Sequence, residues 1–207
     1  MPVTPSAAGL VLAVLASSVL WTQSAEKHRF THPVPDNQEA AMKRWMETFK
    51  PGPAHERLAE LVGKWDMTTR MWMGGPGSKP NETKGSAEIT WLADGKWLQN
   101  KWTSQMMGRP LSGLTLLGYD NFKGRYVATM VDSMQTCMNS ASGHFDQSGD
   151  DLILWGTIDE PMTPEQDKMV KYVYRGYGKD KWTLEVHDMM IGESNTMVVE
   201  IEFARVK

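Results

Sequence analysis

About ten short segments of alternating apolar and polar residues follow one another from Lys64 to the end of the chain, and this run limits the possible folds more than any other feature. Alternation with a period of two is typical of strands that bury one face. Turn-forming residues, as in "DNFKG" and "GESN", separate the segments. The pattern predicts strands at Lys64–Met73, Gly85–Leu92, Trp97–Met106, Leu111–Tyr119, Arg125–Val131, Cys137–Phe145, Leu152–Ile158, Met169–Tyr177, Trp182–Met189 and Thr196–Val206.

The short loops between these strands constrain their topology. They leave no room for crossover helices, so we expect an antiparallel sheet. A sheet of about ten strands tends to curl, and closing it into a barrel removes both exposed edges. The sequence therefore predicts an all-β fold, an antiparallel up-and-down barrel of the lipocalin (calycin) type capped by one or two N-terminal helices. The alternative is a two-sheet sandwich, which the same number of strands allows.

Two helical patterns precede the strands. The first covers Gln38–Phe49, and its apolar residues recur at helical spacing. The second is a short helix that begins at Pro53 and ends before Gly63, and we expect it to plug one end of the barrel with Trp65 nearest to it. The apolar stripe of the first helix consists of Met42, Trp45, Met46 and Phe49.

The N-terminal segment has the pattern of a secretory signal peptide. The run Ala7–Trp21 has the length of a signal-peptide apolar region, and Thr22–Ala25 supplies small residues for cleavage. It is shorter than the ~20 residues that span a bilayer, so cleavage is favoured over an uncleaved anchor. We therefore expect a signal peptide at 1–25, a linker with an amphipathic helix at 26–52 and the barrel at 53–207. The mature protein is expected to be secreted or periplasmic, without a membrane span.

Charge and cysteine content exclude some classes of function. The net charge is -3 with a pI near 6.0, and no run of Lys or Arg is present, so nucleic acid is not an expected partner. Cys137 is the single cysteine, which excludes an internal disulfide. Together with Met134 and Met138 it offers soft ligands for Cu(I), a less favoured metal-site hypothesis.

Several stretches of this sequence resemble a known family. They are "GPAHERLAELVGKW" from Gly52, "WMGGPGSKP" from Trp72, "LGYDNFKGRYVATMVDSMQT" from Leu117 and "EIEFARV" from Glu200. From about Pro53 to its end, the chain is similar to the DUF1579 family of uncharacterised, mostly bacterial proteins. The resemblance implies a lipocalin-like barrel, and it brings no activity and no catalytic residues.

Aromatic residues and methionine are abundant, with 9 Trp and 16 Met. In a barrel of this width they favour a cavity that binds a small hydrophobic or amphipathic ligand. His187 joins the candidates if its polar strand face points inward; if that face points outward, it is only solvated. The predicted ligand-binding residues are Trp65, Trp91, Trp102, Tyr119, Met130 and His187.

Two other classes of function stay open. No Gly-x-Ser-x-Gly motif or phosphate-binding loop is found, so the sequence contains no catalytic motif and does not decide whether the protein is an enzyme. One alternative is a small-molecule enzyme, or a haem or metal-binding protein, that uses His55 or His187 at the barrel mouth. The other is a structural or interaction module with a filled barrel. Neither the cofactor nor the oligomeric state can be predicted from these patterns.

Overall fold

A closed antiparallel barrel dominates the computed structural model, which describes residues 37–192 and 196–207. Consecutive strands pair with each other, and β1 also pairs with β10, which closes the sheet. The predicted up-and-down barrel is therefore confirmed, and the sandwich is excluded. The ten strands within the described residues are β1 (Gly63–Met71), β2 (Asn81–Leu92), β3 (Trp97–Met106), β4 (Arg109–Asp120), β5 (Arg125–Asp132), β6 (Asn139–Phe145), β7 (Leu152–Glu160), β8 (Glu165–Arg175), β9 (Lys181–Asp188) and β10 (Met197–Arg205).

The starts of some strands differ from the prediction. Strand β2 begins at Asn81 instead of Gly85, because Asn81 to Thr83 continue the ladder opposite Met71 to Thr69. Strands β4 and β8 also begin earlier, since each extends a hairpin with the strand before it. Strand β6 begins later, at Asn139, which leaves Cys137 in the preceding loop. In each case pairing with a neighbouring strand decides the boundary, and local composition does not.

The alternation along β1 sorts its side chains between interior and solvent as predicted. Trp65 and Met67 are 0% and 3% exposed and belong to the core, with Thr69 and Met71 on the same face. Asp66 lies on the opposite face and is exposed. The same rule applies along the other strands, where directly paired residues share a face.

A short helical segment closes one end of the barrel. Helix α2 (Pro53–Leu58) continues into a single 3₁₀ turn, Ala59–Leu61. Leu58 and Leu61 are buried in the core, and the Trp65 indole N–H donates to the Leu61 carbonyl at 2.9 Å. The prediction of a plug next to Trp65 is confirmed. We call this end of the barrel the capped end, and the opposite end, where β1 finishes at Met71, the far end.

Helix α1 (Gln38–Glu47) is shorter than predicted, because the N–H groups of Thr48 and Phe49 bond three residues back and form a turn. Asn37 caps this helix: its side-chain oxygen accepts the N–H groups of Glu39 and Ala40. None of its residues is buried. The described residues divide into two units between Arg44 and Trp45, within this helix. The predicted signal peptide and the linker as far as residue 36 lie outside the described residues. Among the helices of residues 37–192 and 196–207, none is long and apolar enough to cross a membrane.

Candidate functional site

Aromatic rings pack the capped half of the barrel interior. Trp182 stacks on Phe203 with ring centroids 3.8 Å apart and on Tyr174 at 5.8 Å, and Trp65 meets it edge-on. A second row of rings in edge-to-face contact runs through Tyr119, Tyr126, Phe145 and Tyr177. Such contacts, at centroid separations near 5 Å, are favourable beyond the area they bury. The capped half of the barrel interior is therefore filled by side chains.

The far half of the barrel holds a cavity of about 270 Å³. Phe203 belongs to both regions, since it stacks on Trp182 in the packed half and also lines the cavity. Methionine side chains contribute several of the other walls, and their flexibility lets them adapt to different shapes. The main apolar lining residues are Met67, Trp102, Met130, Tyr172, Leu184 and Phe203.

The Trp102 wall depends on a glycine in the next strand. Trp102 on β3 pairs with Gly113 on β4. A methyl group at Gly113 would overlap the Trp102 ring and would lie 2.8 Å from the Val131 carbonyl oxygen. The absence of a side chain therefore lets the indole lie against β4 and shapes this side of the cavity.

Polar side chains line the cavity beside this apolar wall. Five of the lining residues carry a carboxamide, and the inward position of Asn100 on β3 brings one of these groups deep into the barrel. Its Oδ1 atom is buried and has no hydrogen-bond partner. Leaving a buried acceptor unpaired costs about 1–3 kcal/mol, so this is a place where a ligand donor would stabilise the protein. The five carboxamides are Asn81, Asn100, Gln105, Gln135 and Asn139.

Ionisable groups are few around the cavity. Among the described lining residues, Asp132 is the one charged side chain. Burial raises the pKa of Tyr172 to about 12, so its hydroxyl is neutral at physiological pH. The cavity thus combines an apolar wall, neutral hydrogen-bonding groups and one carboxylate.

The structure brings two of the six predicted ligand-binding residues to this cavity, Trp102 and Met130. Trp65 and Tyr119 lie in the packed capped half. Trp91, near the end of β2, is 36% exposed. His187 lies on the outward face of β9 and hydrogen-bonds Glu185 at 3.0 Å, so the polar face of that strand points outward.

His55, the other histidine considered for the barrel mouth, is part of the cap. It is 4% exposed, and its Nδ1 accepts the Gly52 N–H at 3.2 Å. Its ring meets Tyr119 edge-on at 5.8 Å. Burial lowers the pKa of His55; the backbone of Tyr119 opposes this shift and Lys96 adds to it. His55 is therefore a neutral, structural group at the end opposite the cavity.

The three residues of the copper hypothesis lie in or beside the loop between β5 and β6. Met134 and Met138 are 50% and 67% exposed, and the Cys137 thiol donates to Gln135 Oε1 at 2.9 Å. Within the part of the chain that the structure describes, no three His, Cys, Asp or Glu side chains are placed to hold a metal ion. The copper site stays a prediction that this geometry does not support.

Asn100, Asp132, Tyr172 and Phe203 are cavity residues that the sequence analysis did not single out. Asn100 shares the strand parity of Trp102, and a polar residue on the face of a predicted wall tryptophan is a signal that could have identified it. For Tyr172 and Phe203 no such signal exists, because aromatic residues at inward positions occur in both halves of the barrel.

A larger depression, of about 740 Å³, lies on the outside of strands β1 to β5. Its lining includes both signs of charge, with Lys64 and Lys101 beside Asp66 and Glu88. It is open to water, so a molecule there would lose little of its hydration and gain little from burial. We therefore place the candidate site in the smaller interior cavity.

Comparison with known proteins supports the fold. The crystal structure of Rv2717c from M. tuberculosis is similar at 18% identity, with a TM-score of 0.57 over 76% of this chain and 100% of that chain. The S-type phycobiliprotein lyase CPES from Guillardia theta is more weakly similar, at 12% identity with a TM-score of 0.48 over 76% of this chain and 99% of that chain. No curated protein matches. Residues 50–205 match the family described as "Protein of unknown function (DUF1579)", so the chain belongs to the DUF1579 family.

Proposed function

We propose that this protein binds a small, largely apolar molecule inside the far half of its barrel. The observation that carries the proposal is a cavity of about 270 Å³ with the unpaired Asn100 Oδ1 buried in its wall. A barrel with a purely structural role would be more stable if this space were filled, because cavities and unpaired polar groups both destabilise.

The volume limits the size of the ligand. A dry cavity of about 150 Å³ holds benzene, so this one suits a molecule up to roughly twice that size, such as a bicyclic aromatic compound or a short branched chain. A tetrapyrrole is far larger and would not be enclosed. Pockets for small molecules are usually apolar with a few polar groups that fix orientation, and this lining has that character.

Neither alternative function gains support from the geometry. His55 lies in the cap, and His187 lies on the outer face of β9. Neither histidine lines the cavity. A filled interaction module has no use for empty interior volume. The ligand-binding function therefore accounts for the most observations.

We also propose that the protein acts outside the cytoplasm, after removal of residues 1–25. Support comes from the length and composition of the Ala7–Trp21 segment. The mass of the mature protein from fractionated cells of its native host tests this. An intact N-terminus in the cytoplasmic fraction would contradict it.

The ligand-binding proposal is tested with 2-naphthol, a neutral bicyclic probe whose hydroxyl can donate a hydrogen bond, by native mass spectrometry and calorimetric titration. The probe should bind the wild type, and Trp102→Ala should weaken binding by about tenfold or more, because it removes one wall of the cavity. Trp155→Ala is the matched control, since Trp155 is 47% exposed on the outer face of β7. Equal losses in both variants, or no binding to the wild type, would contradict the proposal.

A further inference from the structure

The charges around the cavity restrict the polar head group that a ligand can carry. Among the described lining residues there is one carboxylate, Asp132, and no Lys, Arg or His. Asp132 Oδ1 accepts the N–H groups of Met134 and Gln135 at 2.8 and 3.1 Å, which holds the carboxylate at the far end of β5. An anion taken from water into such a site finds no counter-charge, and burying an unpaired charge is strongly unfavourable.

Lys168 does not supply the missing cation. It occupies an inward position of β8, and its side chain is 9% exposed. Its Nζ lies 2.9 Å from Asp188 Oδ2 and 3.5 Å from Glu165 Oε2. These two carboxylates neutralise the ammonium, and Lys168 does not line the cavity. A ligand anion would have to displace one of these carboxylates to reach it.

Asn100 gives a second, independent restriction. Its unpaired Oδ1 is a carbonyl oxygen, which only accepts hydrogen bonds. An amide N–H, a hydroxyl or an ammonium group would satisfy it. A carboxylate offers only acceptors, so it can pair with the Asn100 Nδ2 group but leaves Oδ1 without a partner. The neutral Tyr172 hydroxyl can donate or accept, so it fits any of these head groups.

We infer that the ligand's head group donates hydrogen bonds and carries no negative charge, as in a primary amide, an alcohol or an amine. This inference rests on the proposed function. The apolar body of the ligand lies against Trp102, Met67 and Phe203, and its donor group satisfies Asn100. The site therefore differs in chemistry from one built to carry a fatty acid or another carboxylate, which needs a cationic partner.

Four compounds with one naphthalene body separate the possibilities. 2-Naphthamide, 2-(aminomethyl)naphthalene, 2-naphthoate and 2-methylnaphthalene are titrated into the full chain at neutral pH by calorimetry. The amide and the amine should each bind at least about fivefold more tightly than the naphthoate, because of the unpaired acceptor and the absent cation. A smaller preference, or a preference for the naphthoate, overturns the inference and leaves the proposed function standing. If none of the four binds, the proposed function itself fails.

Variants assign the effect to its residues. The quantity to compare is the ratio of the affinity for 2-naphthamide to the affinity for 2-methylnaphthalene, measured within one variant. Asn100→Leu should lower this ratio by about fivefold from its wild-type value. Gln99→Leu, on the outer face of the same strand, should leave the ratio unchanged. Asp132→Asn keeps the Oδ1 acceptor for the turn but removes the negative charge. It should reduce the preference for the amine over 2-naphthoate and leave the preference for the amide over 2-methylnaphthalene unchanged. A ratio unchanged by Asn100→Leu would overturn the role of Asn100, since both ligands are measured in one folded variant.

Discussion

Replacing Asn100 by Leu should make the protein more stable while it weakens the binding of hydrogen-bond donors. Asn100 points into the barrel from β3, between Ile89 on β2 and Thr115 on β4. Its Oδ1 has lost water on folding and has gained no partner. Leucine has no group to leave unpaired, and the adjoining cavity provides room for its branched end.

The size of the effect follows from that atom. An unpaired buried acceptor costs about 1–3 kcal/mol, so its removal should raise the free energy of unfolding by roughly 2 kcal/mol. With a urea m value of about 2 kcal/mol/M, the unfolding midpoint should move up by about 1 M. For a domain of this size the melting temperature should rise by roughly 4–8 °C.

Equilibrium urea unfolding followed by circular dichroism measures this change, and Gln99→Leu provides the matched control. The Gln99 side chain already donates to Thr90 Oγ1 at 3.0 Å on the outer face. Its loss should lower the stability by about 0.5–1.5 kcal/mol, opposite in sign to the Asn100 variant. A lower midpoint for Asn100→Leu would show that Oδ1 has a partner in solution, and it would remove the main argument for a donor-bearing ligand.

Three further changes test other parts of the structure. Lys168→Met should lower the stability by about 3–5 kcal/mol because it leaves the Asp188 carboxylate buried alone, and adding Asp188→Leu should recover most of the loss in a double-mutant cycle of urea midpoints. Folding lowers the pKa of His55 from its ordinary value of 6.5, so the unfolded state binds the proton more tightly. The free energy of unfolding should therefore fall as the pH drops below 6.5. His55→Gln should reduce this loss of stability between about pH 7.5 and 5.5. Gly113→Ala should displace the Trp102 ring, lowering the melting temperature through a loss of about 1–3 kcal/mol and weakening the binding of 2-naphthol in titration.

The order and direction of the strands could be predicted because they depend on local signals. Alternation of apolar residues and regular turn sequences mark each hairpin, and hairpins in series leave an antiparallel meander as the simple topology. The start of β2 was missed because Asn81, Glu82 and Thr83 are polar on both faces. Those residues join the ladder only because β1 lies beside them, which is a tertiary effect.

The position of the cavity could not be predicted in the same way. Strand parity correctly groups Trp65 with Met67 and Trp102 with Asn100, but it does not say which level of the barrel is filled. That depends on where α2 docks and where Trp182 and Phe203 stack, which involves contacts between distant parts of the chain. Trp65 and Trp102 therefore look alike in sequence, although one is in the packed half and the other lines the cavity.

The polar residues inside the far half are the strongest reason to assign this barrel a binding role. Thr83, Asn100 and Thr115 occupy inward positions, where apolar side chains would pack more favourably. At the capped end the same strands hold Ile89, Leu98 and Leu117 at inward positions, packed with aromatic rings from other strands, so the chain can build a solid core where nothing has to enter. Proteins give up stability mainly where function requires it. The unpaired Asn100 oxygen lowers the stability of the protein in this way, and a donor group from a ligand would form the hydrogen bond that it lacks.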